Sequence, residues 1–292
     1  MPPVFCVLCW QLMSQALFTA PVFGLIVVGD EILSGRRADR HLQHLAELLV
    51  ERGLQLSWAR YVGDEPQRLT QTNKDAWAGG GAVFCTGGIG STPDDHTRQC
   101  AADALDLPLV PHAEACALIT ARSREMAKKK GIDFDPQAPD NRQRLLMGRL
   151  PYGARLLPNS YNGIPGFALG TPGQGRMLYF TPGFPVMAWP MMEWALETDW
   201  IACFERGRWL ERSIIVRGEG EAVLTPLMER IESGHAGVKV FSLPSVDHPE
   251  YGRHIELGVK GAPAAVEPAW AALKDGLRAF THLQCGPELE RP

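Results

Sequence analysis

Carboxylates crowd the end of a glycine-rich stretch. Residues 82–97 read AVFCTGGIGSTPDDHT, so Asp94 and Asp95 follow Gly87, Gly88 and Gly90 and the hydroxyls of Ser91 and Thr92. Glycine lets the chain take positive φ or admits another group close to its backbone. The apolar run 82–85 predicts a buried strand. Beyond the loop, Thr92 is placed as an N-cap, Pro93 as the first helical residue and Asp95 three past the cap. Strand, loop and helix N-terminus together make an anion site, because free amides and the helix dipole point the same way. Two acids set there repel a phosphate unless a cation or a transferable proton lies between. One reading makes Asp95 half of a capping box and Asp94 a dipole-complementing surface residue. The other makes Asp94 and Asp95 hold a divalent metal, magnesium or manganese, or move a proton beside a phosphoanhydride.

The elements that must position these acids follow a regular pattern. A continuous apolar strand over 22–28 runs into Gly29-Asp30-Glu31, and a helix over 39–52 carries Leu42, Leu45, Ala46 and Leu49 on one face. A second strand over 54–61 leads to Gly63-Asp64, and a second helix reaches about Trp77. A helix over 93–105 follows the glycine loop. This β-α-β-α-β-α order predicts a doubly wound α/β sheet, whose ligands sit beyond the carboxyl ends of the strands. Gly29, Asp30, Glu31, Asp64 and the glycine loop then share one rim. Further helices are expected over 114–130, 140–147 and 186–196, with a hairpin near Phe167 and 177–180. Two loops rich in Pro and Gly lie among them: one holds Asn159, Gly163, Pro165 and Gly166, the other Pro182 and Gly183. They are turns or ligand-facing edges. Asn159 makes an Asx-turn or touches a ligand. His96 is a phosphate contact or a partner for the acids beside it, and His41 a packing residue or part of the substrate edge.

Composition narrows the function classes. The 292 residues leave room for one large domain and a smaller one, and 45% hydrophobic with 21% charged residues is ordinary globular composition. A formal net charge of −4 argues against binding driven by nucleic-acid phosphates. Seven scattered cysteines fit reduced thiols and a cytoplasmic protein, and the Cys6–Cys9 pair has no second pair to complete a zinc site. No apolar run is long enough to span a membrane. Residues 1–21 form an apolar leader without Lys or Arg, expected to be disordered or untranslated, with Met13 as an alternative start.

Residues 210–283 predict a separate α+β module, ordered strand, helix, strand, strand, helix, with 284–292 as a tail. Gly234-His235-Ala236-Gly237 spells G-x-x-G, the loop by which KH domains clamp nucleic-acid backbone. Here it joins a helix to a strand and holds no Lys or Arg, so no nucleic-acid partner is expected. Trp189, Trp194, Trp200 and Trp209 fall near the junction and suit an interdomain or homo-oligomer contact.

Four blocks in one order carry a resemblance: GDEILSG with Asp39 downstream, TGGIGSTPDDHT, N-x-x-G-I-P-G-F and T-P-G-F-P. Together they resemble the molybdopterin-binding domain family, which includes the MogA and MoaB-type proteins, MoeA and the N-terminal half of CinA. The order is most similar to CinA over 22–200, with a KH-like module following. The resemblance implies a three-layer sandwich that binds a nucleotide or pterin through Gly29, Asp30, Glu31, Asp39, Gly87, Gly88, Gly90, Ser91, Thr92, Asn159, Gly163, Pro165, Gly166, Pro182 and Gly183. It also implies catalytic roles for Asp64 and Asp95. Asp94 stands where the adenylyltransferase branch has arginine, which favours metal-dependent hydrolysis of a nucleotide pyrophosphate such as ADP-ribose. The alternatives are molybdopterin binding with adenylyl transfer, or a non-catalytic nucleotide-binding assembly module. Arg40 and His41 replace a usual Thr-Asn pair, and the end at Pro292 leaves no room for CinA's amidohydrolase domain.

Overall fold

The computed structural model describes residues 21–204 and 209–291. The expected leader, with Cys6 and Cys9, lies outside the described residues. Contacts divide the chain into two compact units, residues up to 48 with 55–203, and residues 49–54 with 204–292.

The first unit opens as the apolar pattern requires. β1 (Phe23–Val28), β2 (Leu56–Val62) and β3 (Gly81–Thr86) run parallel, with β1 in the middle and all six of its residues buried. Such continuous burial is what a strand covered on both faces needs. Between them lie α1 (Asp30–Leu33), α2 (His41–Val50) and α3 (Pro66–Gly79), and α4 (Thr97–Ala104) follows β3. Then come β4 (Leu109–Pro111), α5 (Ala113–Lys129), α6 (Pro139–Leu145) and β5 (Arg149–Pro151), with β4 and β5 paired in a small antiparallel ribbon. β6 (Arg155–Leu157), β7 (Gly166–Thr171) and β8 (Arg176–Thr181) complete the main sheet before α7 (Pro185–Asp199). The sheet order is β2-β1-β3-β8-β7-β6, with β8 parallel to β3 and the last two strands antiparallel to their neighbours.

Each sheet face has its own core. Ile26, Val28, Val83, Cys85, Leu178 and Phe180 pack with Leu69 and Ala76 of α3 and Cys100 and Ala101 of α4. The alternate residues point the other way: there Phe84 stacks on Tyr179 at 4.8 Å, and Phe23 meets Trp200 edge-on at 5.3 Å. The Tyr179 hydroxyl accepts from Trp200 Nε1 and donates to Asp199, each at 2.8 Å, and Asp199 also pairs with Arg155. The expected tryptophan cluster is not a single one. Trp189 stacks on His44, Trp194 lies under Arg155, and Trp200 belongs to the Tyr179 network.

In the second unit, β9 (Leu210–Arg217), α8 (Glu221–Gly234), β10 (Val238–His248), β11 (Gly252–Gly261), α9 (Pro263–Leu277) and β12 (Gln284–Arg291) form an antiparallel sheet ordered β10-β11-β9-β12. Ile214, Val216, Leu257 and Val259 pack with Leu224 and Leu227 of α8 and Trp270 and Leu273 of α9. The G-x-x-G joins α8 to β10, as its flanks predict. The expected tail is instead a strand. Its Gly and Pro disguise it, yet Pro287 falls inside a register shift on an edge strand, where a missing N–H costs least. Charged pairs along this region include Arg212–Glu290, Arg291–Glu211 and Lys274–Glu288.

Asp199 is nearly fully buried, its side chain 3% exposed, so its charge depends on Arg155. Arg155→Ala is expected to lower stability by about 3 kcal/mol, read as a lower denaturant midpoint, because an uncompensated buried charge remains. Tyr179→Phe is expected to cost about 1–2 kcal/mol by leaving Trp200 Nε1 without its acceptor.

Candidate functional site

The glycine loop leaves β3 at Gly87, where φ is +99° and an added Cβ would lie 2.4 Å from the Val28 carbonyl oxygen. Only glycine fits that passage. From there the loop's carbonyls are captured by the start of α4. Thr97 Oγ1 donates to the Gly87 carbonyl and Thr97 N to that of Gly88, each at 2.9 Å. The buried Arg98 guanidinium donates to the carbonyls of Ile89 and Gly90. Burial holds Arg98 below its usual pKa, against the attraction of Asp95. With four successive carbonyls bound on the helix side, the amides of Gly88, Ile89 and Ser91 have no acceptor among the described residues. The Gly87 amide is taken by the Thr181 carbonyl at 3.0 Å.

Asp95 corrects the expected helix start. Its Oδ1 accepts from Gly90 N at 2.9 Å, and its Oδ2 from Thr92 N at 2.7 Å and Thr92 Oγ1 at 2.5 Å. These bonds satisfy amides of the loop itself, so residues 91–94 stay in turns and α4 begins at Thr97. The helix first turn therefore supplies side chains to the loop rather than amides to an anion. With both oxygens accepting bonds from the loop, Asp95 braces it. His96, the residue capping α4, makes no side-chain cap bond and does not line the cavity below.

Beyond the carboxyl ends of β1, β3 and β8 lies a cavity of about 430 Å³. It brings together Gly29, Glu31, Asp64, Gly87, Gly88, Gly90, Ser91, Thr92, Asp94, Asp95, Asn159, Pro165, Pro182 and Gly183. One rim thus holds both Asp64 and Asp95, as the sheet topology predicts. Asp30 and Asp64 are tied reciprocally: Asp30 N donates to Asp64 Oδ2 at 3.0 Å and Asp64 N to Asp30 Oδ1 at 3.3 Å. Partial burial pushes the Asp64 carboxyl above the usual range, opposed by the Asp30 amide and assisted by the charges of Asp30, Glu31 and Asp94. Among the described residues no group of three or more His, Cys, Asp or Glu is gathered to cage a metal. Glu31, Asp64 and Asp94 are separate hard oxygen donors in the lining, and magnesium is often held by one or two carboxylates plus substrate.

Four expected contacts fall outside the lining: Asp30, Asp39, Gly163 and Gly166. Asp39 is a helix cap, its carboxylate accepting from His41 N, Leu42 N and the Tyr61 hydroxyl. Asn159 lines the cavity, but its side chain serves its own loop, accepting from Tyr161 N and donating to Asn162 Oδ1 and the Ile164 carbonyl. The Asx-turn reading is the one its bonds support. Residues without a sequence signal also line the space. Arg37 is the single Lys or Arg in the lining; it pairs with Glu31 at 3.7 Å and lies 5.6 Å over the ring of Phe184. Met147, Ile164 and Met187 add apolar surface to the lining, and Asn162 lies among them.

Comparison with known proteins agrees with this architecture. The chain belongs to the family described as "Probable molybdopterin binding domain", whose model matches residues 24–199. It is 30% identical to a CinA-like protein of Gloeobacter violaceus over 91% of this chain and 59% of that one. It is 34% identical to a CinA-like protein of Synechococcus elongatus over 60% of this chain and 40% of that one. The chain therefore spans only about two to three fifths of the length of these relatives. The solved structure of CinA from Thermoplasma acidophilum, of unknown function, matches with a TM-score of 0.51 and 27% identity, covering 62% of this chain and 98% of that one. No helix among the described residues is long and apolar enough to cross a membrane.

Asp95→Asn puts an NH2 group opposite a loop donor, so hydrogen exchange at Gly90 and Thr92 is expected to speed up. Unchanged protection would remove the bracing role. For Asp64 the sign is set by its raised pKa: the charged form is the one the fold disfavours, so stability falls as pH rises through that pKa. Asp64→Asn is expected to raise the melting temperature at about pH 7 and to leave it unchanged at about pH 3, where the carboxyl is protonated folded or unfolded. Scanning calorimetry at both pH values checks this.

Proposed function

We propose that this member of the molybdopterin-binding-domain family binds a nucleoside diphosphate ester such as ADP-ribose and hydrolyses its phosphoanhydride. The observation that carries the reading is the joint presence, in one cavity, of loop amides without an acceptor among the described residues and of carboxylates that outnumber the single Arg37. Free amides held by a rigid loop suit phosphate oxygens, because they need no reorganisation to meet developing charge. Carboxylates alone would repel that phosphate, and the surplus suits a site that works with a divalent cation. A hard ion bound there would neutralise charge on the phosphates and lower the pKa of a coordinated water.

The chain's own residues supply the rest. Gly88, Ile89 and Ser91 hold and orient one phosphate through N–H groups. Asp64, whose carboxyl is already poised above the ordinary range, accepts a proton from the attacking water. Asp95 and Arg98 keep the loop in register. The apolar wall of Ile164, Met187 and Phe184 shields the reacting centre and takes the flat end of the ligand. The family's description supports a pterin as the competing ligand, and the same apolar wall suits it.

The test is release of AMP from ADP-ribose with magnesium or manganese, with and without chelator. Activity is expected to vanish on chelation and to fall about a hundredfold or more in Asp64→Asn, the usual cost of losing a general base. A wild-type protein that cleaves no dinucleotide with either metal, yet is stabilised against heat by a pterin and not by ADP-ribose, would transfer the site to pterin binding.

A further inference from the structure

Only one Lys or Arg lines the cavity, and its donors are underused. Arg37 follows α1, and its amide donates to the Glu31 carbonyl at 3.0 Å, which fixes where the side chain starts. The guanidinium carbon lies 5.6 Å from the centre of the Phe184 ring. The acid it pairs with, Glu31, is 3.7 Å away, too far for a hydrogen bond. Both side chains are open to solvent, at 54% and 44% exposure, and pairs of that kind are held weakly. Among the described residues the Arg37 side chain has no partner besides these two.

Two short bridges link this guanidinium to the start of the glycine loop. Gly87 passes against the Val28 carbonyl, and Gly29 is the next residue of that strand end. A Cβ added to Gly29 would lie 2.5 Å from Glu31 Oε2, so the carboxylate folds back over the end of β1. On the other side, a Cβ added to Gly183 would lie 3.4 Å from Gly87 Cα. Phe184 comes next, 53% exposed, with Pro185 opening α7 behind it. Arg37, Glu31, Phe184, Gly87 and Gly88 all line the same cavity.

A guanidinium can bind through its face and its edge at once. Its face rests on an aromatic ring, while its edge presents N–H groups in a fork that matches two phosphate oxygens. Here the ring is in place and the fork has no hydrogen-bonded acceptor. The loop amides of Gly88, Ile89 and Ser91 suffice for one phosphate. A second phosphate joined to it meets carboxylates, and Arg37 is the one side chain in the lining with lasting positive charge to set against them.

We propose that Arg37 gives the site its preference for a diphosphate over a monophosphate: it leaves Glu31 and donates its fork to the phosphate the loop amides do not hold. The proposal rests on the glycine loop being the phosphate site. The exchange costs little, because the pair it breaks is exposed and long, and the Phe184 ring supports the guanidinium on either side of it.

Calorimetric titration of the full chain with magnesium present, using AMP and α,β-methylene-ADP, tests this. The methylene bridge replaces the phosphoanhydride oxygen, so the diphosphate cannot be hydrolysed during the measurement. Wild type is expected to bind the methylene-diphosphate at least about tenfold more tightly than AMP, the worth of one charge-assisted hydrogen bond. Arg37→Gln should weaken the methylene-diphosphate by about tenfold and leave AMP as it is. The exposed side chain carries little of the fold, so the variant should melt with wild type. A purely structural role would instead lower the melting temperature or weaken both nucleotides alike. Equal affinity of wild type for the two, or an equal loss of both in Arg37→Gln, overturns the role of Arg37 and leaves the loop reading standing. If wild type binds neither nucleotide, the loop reading falls and this proposal with it.

Discussion

Everything in the site depends on where four carbonyls point. A glycine loop has no intrinsic preference for exposing amides rather than carbonyls, and a loop with its carbonyls outward would repel phosphate. Thr97 and Arg98 settle the matter by binding the carbonyls of Gly87, Gly88, Ile89 and Gly90 from the helix side. Asp95 closes the other end by gathering the amides of Gly90 and Thr92. Arg98 is buried and Asp95 lies close enough to favour its charge, so the two braces support one another. Loop shape and loop electrostatics are therefore one constraint.

The same economy of donors governs the acids. Asp39 and Asp95 have their oxygens met by backbone and hydroxyl donors, and they shape the scaffold. Asp64 receives one backbone donor, from Asp30, while like charges crowd it. Acids of one type thus divide by what surrounds them. A carboxylate that already accepts three bonds has less left to offer a ligand, and one that is underserved and repelled gains most from a cation or a proton.

Much of this was legible from the sequence. Continuous apolar runs marked β1 and β3, and the alternation of strands with helices put Glu31, Asp64 and the glycine loop on one rim before any coordinates. The helix after the loop was misplaced because T-P-D-D reads locally as a capping box, whereas Asp95 spends its bonds on the loop. Thr97 and Arg98 had no signal, since carbonyl capture is decided by the crossing of α4 under the loop. Asp39 could have been found: its place two and three residues before His41 N and Leu42 N is that of a cap. β12 was hidden because Gly286, Pro287 and three charged residues hold no strand pattern, and only pairing with β9 makes it one.

Thr86 and Thr181 show a different limit. At the end of a buried strand a threonine is expected as a β-branched residue that fills space, and nothing in its neighbours distinguishes that from a binding role. Neither Oγ1 has a hydrogen-bond partner among the described residues. Valine would fill the same volume without leaving a buried hydroxyl unsatisfied, so hydroxyls at both partner positions lower the stability of the empty protein. The raised carboxyl of Asp64 acts in the same direction. Unmet buried polar atoms also occur elsewhere, at Asn73, Trp189, Arg212 and Trp270, so such a deficit does not by itself mark a binding site. Only where a ligand reaches the group are stability and affinity coupled, because the ligand then supplies the bond the protein withholds.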